Sequence, residues 1–552
     1  MPVPDFEWKA YQVPGDTGDP LRHTGLAAAA EATVTVDIPD LTSYPAPRDK
    51  ATVLLQTAAE VEHALLVQYL YAAFSLKGDD ELSDSQRPAV TAWNGELRHI
   101  AKQEMGHLMT VQNLLLALGL PPYLEREGFP SVKGLYPFKF HLEPLSQRSL
   151  AKYVTAEAPQ DAPGIDDIVA LATGTEGAPV NHVGTLYGLL GVVFSTAQEV
   201  TDGGSGSLPW DQQLRGLAKA AYQQQPDPKK WHLDDSAIDT GSLKFQAVQD
   251  DWSRPGGDVT IFPIGDRADA RKAIRKVAEQ GEGPTDDDEA SHFARFLSMY
   301  RGDHAKNLPP FPPAGDEWEP AREVPRDPKE PPDLAPNRTE RWAQLANQRY
   351  ELLLGFINHY LLTSATGDRK VLAGLAQDEM FILNPLRDKL VRLPRKGGVG
   401  APPFTLPEEL ELPPTEPERW QLQRARTWAA IDVISTMAAD AADADEPALI
   451  DLLAQETAHL QQVAQMGGGT RPPPTTSFER DIKPLFGPKD IDHMRNQGLD
   501  LTNYDQVRLR ATEISNRMKG IGGRRMPPPP DPPLTEDQIK LFDAWVTEGS
   551  PP

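Results

Sequence analysis

Not one of the 552 residues is a cysteine. That excludes disulfides, thiolate nucleophiles, iron–sulfur clusters, cysteine-bound zinc and thioether-attached haem, so any metal must rest on His, Asp and Glu. Positive charge is scarce as well: 55 Lys and Arg stand against 80 Asp and Glu, a formal net charge of −25. A chain this acidic repels phosphate backbones and anionic lipid, so neither nucleic acid nor a membrane surface is expected as a partner. Long apolar runs are missing too. The longest, Val183 to Ala197, falls short of the roughly 20 apolar residues that span a bilayer. The opening MPVPDFEWKAYQVPGDTGDP has neither a basic start nor an apolar core, so no secretory signal is read and the expected compartment is the cytoplasm. Strand-like alternation is confined to one short run, Thr33 to Val36.

Proline, by contrast, is abundant, with 54 among 552 residues, about twice ordinary usage. Long ordered connections between packed pieces are expected, and a continuous sheet is not. Apolar residues recur at three- and four-residue steps from Ala51 to Leu76 (Leu55, Ala59, Leu66, Tyr69, Ala73) and again from about Pro88 to Leu118, which predicts two long helices. Gly119 and Pro121-Pro122 end the second. Further helices are expected over Pro179–Val200, Ala268–Gln280 and Asp286–Tyr300, the last capped by Thr285, with irregular chain over 123–179 and Gly203–Asp266. Ten prolines between Pro309 and Pro336 mark a linker. Beyond it come four helical stretches, about 339–364, 370–392, 417–440 and 446–466. The expected fold class is therefore all-α. It divides into an extended arm (1–50), a helical bundle with long loop insertions (51–307), the linker (308–338), a second helical block packed on the first (339–470) and a small helical unit (477–552).

The chemistry lies in charged residues set among apolar ones. Glu104 and His107, three apart on a helix, share a face otherwise made of Leu97, Ile100, Leu108 and Val111. Glu62 sits among Ala58, Ala59, Leu65, Leu66 and Tyr69. Burying an isolated carboxylate costs several kcal/mol, and one cation would satisfy both. A second Glu-x-x-His, Glu289 with His292, follows Glu282 by seven residues. Two such pairs plus a lone buried Glu on another helix are what a carboxylate-bridged bundle site supplies. Oxygen-rich ligation with few imidazoles suits iron, mononuclear or dinuclear, with manganese as the alternative. The metal candidates are thus Glu62, Glu104, His107, Glu282, Glu289 and His292. Salt-bridged surface pairs explain the same spacing equally simply, and Glu96/His99 and Glu456/His459 share it. Glu456/His459, with Glu351 and Glu379, hints at a second, degenerate bundle.

The strings Ala58-Ala59-Glu60-Val61-Glu62-His63-Ala64, Gln68-Tyr69-Leu70-Tyr71-Ala72, Glu104-Met105-Gly106-His107 with Asn113-Leu114-Leu115, Glu279-Gln280-Gly281-Glu282-Gly283 and Ser291-His292-Phe293-Ala294-Arg295-Phe296 resemble the ferritin-like domain of the iminophenyl-pyruvate dimer synthase family. The resemblance covers about 50–465. It implies a ferritin-like four-helix bundle and oxidative coupling of tryptophan-derived imines in violacein and rebeccamycin biosynthesis. The implied partners are dioxygen and a small aromatic substrate, with an oligomer left open. One departure stands out: Gly184-Thr185-Leu186-Tyr187 replaces an expected Gly-Glu-(Phe/Leu)-Tyr. If that Glu is a ligand in relatives, Thr185 favours one metal or an asymmetric pair. Some relatives are associated with haem, which leaves a non-covalent haem on a histidine open. The tail, from Phe478-Glu479-Arg480-Asp481-Ile482 through Arg525-Met526-Pro527-Pro528, resembles a small c-type cytochrome domain, yet Asp490 to Met494 reads Asp-Ile-Asp-His-Met where the attachment cysteines belong. No covalent haem is expected. The function read from the chain is a non-haem iron oxidoreductase of specialised metabolism; the alternative is a non-catalytic metal-binding or scaffold protein.

Overall fold

A computed structural model describes residues 5–14, 33–131, 134–159, 162–174, 183–202, 209–252, 259–282, 290–306, 308–313, 318–329, 337–395, 398–407, 410–443, 476–520, 525–527 and 532–547, with isolated positions at 454, 457, 460 and 463. The chain forms two compact units. One comprises 1–328, 360–377 and 397–399; the other comprises 329–359, 378–396 and 400–552.

In the first unit, helix α1 (Pro47–Ser75) begins with proline at its first turn, where the missing N–H costs nothing, and Asp49 faces the positive helix end. Its sides are buried almost all round, Glu62 and His63 included. Such burial makes it a central rod and not a surface helix. Helix α2 (Arg87–Ala117) packs along it and stops where expected, at Gly119 with φ +67°, a left-handed position that favours glycine. Helices α3 (Gln147–Ala156) and α4 (Asp166–Thr173) lie in the stretch expected to be irregular. The third expected helix is in fact two, α5 (Val183–Phe194) and α6 (Ala197–Asp202). A Thr196–Glu199 capping box starts the second: each residue's side chain accepts from the other's backbone N–H, at 3.0 and 2.7 Å. Helix α7 (Pro209–Gln224) corrects the expectation of a loop over Gly203–Asp266. Helix α8 (Arg267–Glu282) follows, then α9 (His292–Arg301). The contacts α1–α2, α1–α5, α5–α8 and α2–α8 close a ring of four helices, the bundle of the expected all-α class. The N-terminal arm is a two-stranded antiparallel ladder, Trp8–Pro14 with Thr33–Pro39, lying against α7. The proline-rich segment is a packed strap: Lys77 N–H donates to Pro320 O and Arg322 N–H to Ser75 O, and Trp93 Nε1–H reaches Pro309 O at 3.0 Å.

Glu199 also fastens α6 to α8, accepting from Arg267 Nη1 at 2.7 Å and from Arg271. Burial alone would raise its carboxyl, but the Thr196 N–H and the two guanidiniums bring it down to about 2 from an ordinary 4.5. A carboxyl depressed on folding stabilises above its unfolded value and loses that contribution as pH falls through the folded one. Glu199→Gln is therefore expected to cost about 1 kcal/mol at pH 7, discounted because the side chain is partly exposed. The difference should shrink between pH 4.5 and 2, as urea melts of both proteins across that range would show.

The second unit contains α10 (Arg338–Leu362, up to residue 359), parts of α11 (Thr366–Leu390) and α12 (Glu416–Asp443). The carboxylates that hinted at a second metal belong to arginines here: Arg349 Nε–H donates to Glu379 at 2.5 Å, both side chains 0% exposed, and Arg426 Nε meets Glu351 at 3.0 Å. Glu456 and His459 lie outside the described residues. The C-terminal unit closes on its own side chains. Phe478, Ile482, Leu501, Val507, Phe542 and Trp545 fill its centre, while His493 faces solvent. Among the described residues, no helix is long and apolar enough to cross a membrane.

Candidate metal centre

Glu62 comes from the middle of α1, Glu104 and His107 from α2. The i, i+3 spacing puts the last two on one face, as expected. His292 arrives differently. Ser291 caps α9, its hydroxyl accepting the Ala294 N–H, so His292 is the first helical residue. Glu289 lies outside the described residues. Glu282 is the last residue of α8, and its side chain also lies outside the described set.

The four described candidates meet. His107 Nδ1 is 3.3 Å from Glu62 Oε2 and 3.1 Å from Glu104 Oε2. His292 Nδ1 is 3.0 Å from the other Glu104 oxygen, Oε1. One atom each of Glu104, His107 and His292 lies within 4.8 Å of the others. A fifth group, not expected from the sequence, joins them: Glu157, at the C-cap of α3, whose Oε2 is 3.8 Å from His292 Nδ1. Its signal was present in the chain, a lone carboxylate in the apolar run Tyr153-Val154-Thr155-Ala156-Glu157-Ala158, but the run was read as irregular and no face was assigned to it.

The surroundings hold these groups in place. His107 Nε2–H donates to Gln280 Oε1 at 2.9 Å and His292 Nε2–H to Gln103 Oε1 at 3.1 Å. An amide oxygen only accepts, so each ring keeps its proton on Nε2 and turns Nδ1 to the carboxylates. Tyr187 and Tyr69 donate their hydroxyls to Glu62 Oε1 and Glu157 Oε1. Thr185 does not line the cavity; Tyr187, two residues on, does. Behind the site, a Cβ on Gly106 would fall 2.7 Å from Thr260 O, so α2 is pressed against the chain at 259–260.

Electrostatically the cluster is short of positive charge. Burial, then the Glu104 charge, pushes Glu62 up to about 7. The same two causes raise Glu157 well above the carboxylate range. Burial also works against Glu104, but His292 and His107 hold it well below its ordinary value. Burial would neutralise His107, yet Glu104 and Glu62 raise it well above an ordinary imidazole, so a proton sits between two carboxylates where a cation would. Burial keeps His292 neutral. His292 Nδ1, Glu104 Oε1 and Glu62 Oε2 are all buried without a hydrogen bond. His292 Nδ1 and Glu104 Oε1 are 3.0 Å apart, and buried polar atoms are rarely left without a partner, so a cation against them would satisfy both. The donor set fits a first-row divalent metal. The cavity lined by Glu62, His107, Glu157, Tyr187 and His292 has a void of about 20 Å³. That is room for an ion or a water.

The comparisons agree with this architecture. A ferritin-like family model matches residues 55–301. The chain is 26% identical over 390 residues to the 2-imino-3-(indol-3-yl)propanoate dimerase of Chromobacterium violaceum, a match covering 64% of this chain and 33% of the relative. It is 26% identical over 390 residues to the dichlorochromopyrrolate synthase of Lentzea aerocolonigenes, covering 64% of this chain and 36% of that one. The match thus spans about a third of the length of these curated relatives. No solved structure matches the chain. Residues 55–301 therefore carry a ferritin-like domain, and both curated matches agree with the resemblance to iminophenyl-pyruvate dimer synthases read from the motifs.

Proposed function

We propose that this chain is a metal-dependent oxidoreductase of specialised metabolism that joins two aromatic, amino-acid-derived imines with dioxygen as the electron acceptor. The carrying observation is the buried cluster in which one atom each of Glu104, His107 and His292 lies within 4.8 Å of the others, with Glu104 Oε1 and His292 Nδ1 left without a hydrogen bond. Glu62, Glu104, His107 and His292 would hold that cation, non-haem iron on our reading, and iron when bound exchanges electrons between substrate and dioxygen. Forming one carbon–carbon bond between two imines releases two electrons and two protons, which a two-electron reduction of dioxygen to hydrogen peroxide consumes.

The chain's own residues have defined tasks in this reading. Tyr187 and Tyr69 fix the carboxylates, and Gln280 and Gln103 fix the imidazoles, so the donors are in position before metal enters. Burial excludes bulk water from the charged cluster. Without a cation, burial and the Glu104 charge push Glu62 up to about 7, so near neutrality a bound metal would displace its proton. The void is too small for an indole, so substrate rests against its apolar lining at Leu65, Val183, Val277 and Ala278 while the small oxidant goes inside. That small void also favours a second reading, a metal held without turnover.

Protein purified from iron-supplemented cells should carry iron near stoichiometry. Given the imine of indole-3-pyruvate, it should consume oxygen and yield a product of twice the substrate mass less two hydrogens. Bound iron with no substrate-dependent oxygen uptake supports the second reading. A chain that refuses Fe²⁺, Mn²⁺ and Co²⁺ alike overturns both.

A further inference from the structure

His292 stands on α9, outside the four-helix ring, and it is the first residue of its helix. Helix ends fray, so an imidazole at that position needs something beyond its own helix to aim it. Arg295 supplies this. Its Nε–H donates to Ala290 O at 3.2 Å, two residues ahead of His292, and its Nη1–H donates to Glu96 Oε2 on α2 at 2.8 Å. One guanidinium therefore ties the chain on both sides of His292 and fastens it to α2. Glu96 and Gln103, the partner of His292 Nε2, are seven residues apart and share a stripe of α2, about 10.5 Å along its axis. Arg295 and His292 are three residues apart, about 4.5 Å, and the length of the arginine side chain covers the difference. We propose that Glu96 and Arg295 are positioning residues, a pair outside the cavity that sets the first turn of α9 against α2 and so holds His292 within reach of Glu104. The inference rests on the metal-binding reading above, and it gives a task to the carboxylate of the Glu-x-x-His spacing at 96–99, which the centre itself does not use.

Fully exposed ion pairs hold geometry weakly. These two side chains are only 14% and 23% exposed, and the guanidinium divides its donors between two acceptors at a fixed angle, which an ammonium group cannot reproduce. The next residue, Phe296, is 0% exposed and packs on the rings of Tyr69 and Tyr153 at 4.8 and 5.4 Å. That packing resists a roll of α9 about its axis. What it leaves free is a slide along α2, and the Glu96–Arg295 pair fixes that.

The test uses the full chain, stripped by chelator and titrated with Co²⁺ alone under nitrogen. Glu96→Ala and Arg295→Lys should each bind Co²⁺ at least fivefold more weakly than wild type and shift its visible absorption. Glu96→Gln, which keeps an acceptor for Arg295, should stay within twofold. Wild-type affinity and spectrum in Glu96→Ala and Arg295→Lys overturn the proposal, even where urea unfolding shows either variant to be less stable, since a purely structural pair would do just that. Equal losses in Glu96→Gln and Glu96→Ala overturn it as well, because the charge and not the bond would then be acting. Should Glu96→Ala fail to fold, as circular dichroism would show, Arg295→Lys decides. A wild-type chain that binds no Co²⁺ removes the metal reading, and this inference with it.

Discussion

Alanine at Glu104 is expected to lower bound iron at least tenfold, and alanine at His107 to do the same. Among the described residues, Glu104 is the one carboxylate paired with both imidazoles, at 3.1 and 3.0 Å, and the other one near His292 Nδ1 is 3.8 Å away. Part of the effect should be on folding. His292 and His107 hold the Glu104 carboxyl well below its ordinary value, so its ionised form stabilises the metal-free fold. The Glu104 variant should therefore melt below the metal-free wild type, as a broken buried pair does. Elemental analysis together with a thermal melt separates the two effects. Unchanged iron in both variants would refute the site.

The largest expected loss of stability lies elsewhere. Arg349→Leu should destabilise the second unit by about 3–5 kcal/mol, because Glu379, 0% exposed, would keep a charge with its 2.5 Å partner gone. Replacing both residues with leucine should recover most of that loss, since a buried pair exchanged for apolar groups of similar size is often close to neutral. Urea unfolding of the full chain, followed on a probe in that unit, measures both variants. A double mutant as unstable as the single one would show that Arg349 acts through other contacts.

The two long helices and their shared charged face were legible because periodicity and burial speak together there: Glu62, Glu104 and His107 each interrupt an apolar stripe. His292 was found by its spacing to Glu289, which lies outside the described residues, while α9 begins at His292 itself. Glu157 was missed because one turn of amphipathic pattern in α3 is too little to set a face. The same shortness hid α4, and α7 was lost between glycine- and proline-rich flanks. The tyrosines were unreadable for another reason. Tyr69 and Tyr187 look like ordinary core aromatics, and only tertiary structure shows which carboxylate each hydroxyl meets.

The tight seat behind Gly106 bears on how this scaffold could be redesigned. Any larger residue there would drive the α2 backbone off Thr260 and carry Glu104 and His107 with it, so libraries aimed at a broader substrate scope should leave that position fixed. Diversity belongs instead at Val277 and Ala278, where trimming or widening the rim changes what can approach while the anchoring groups stay where they are.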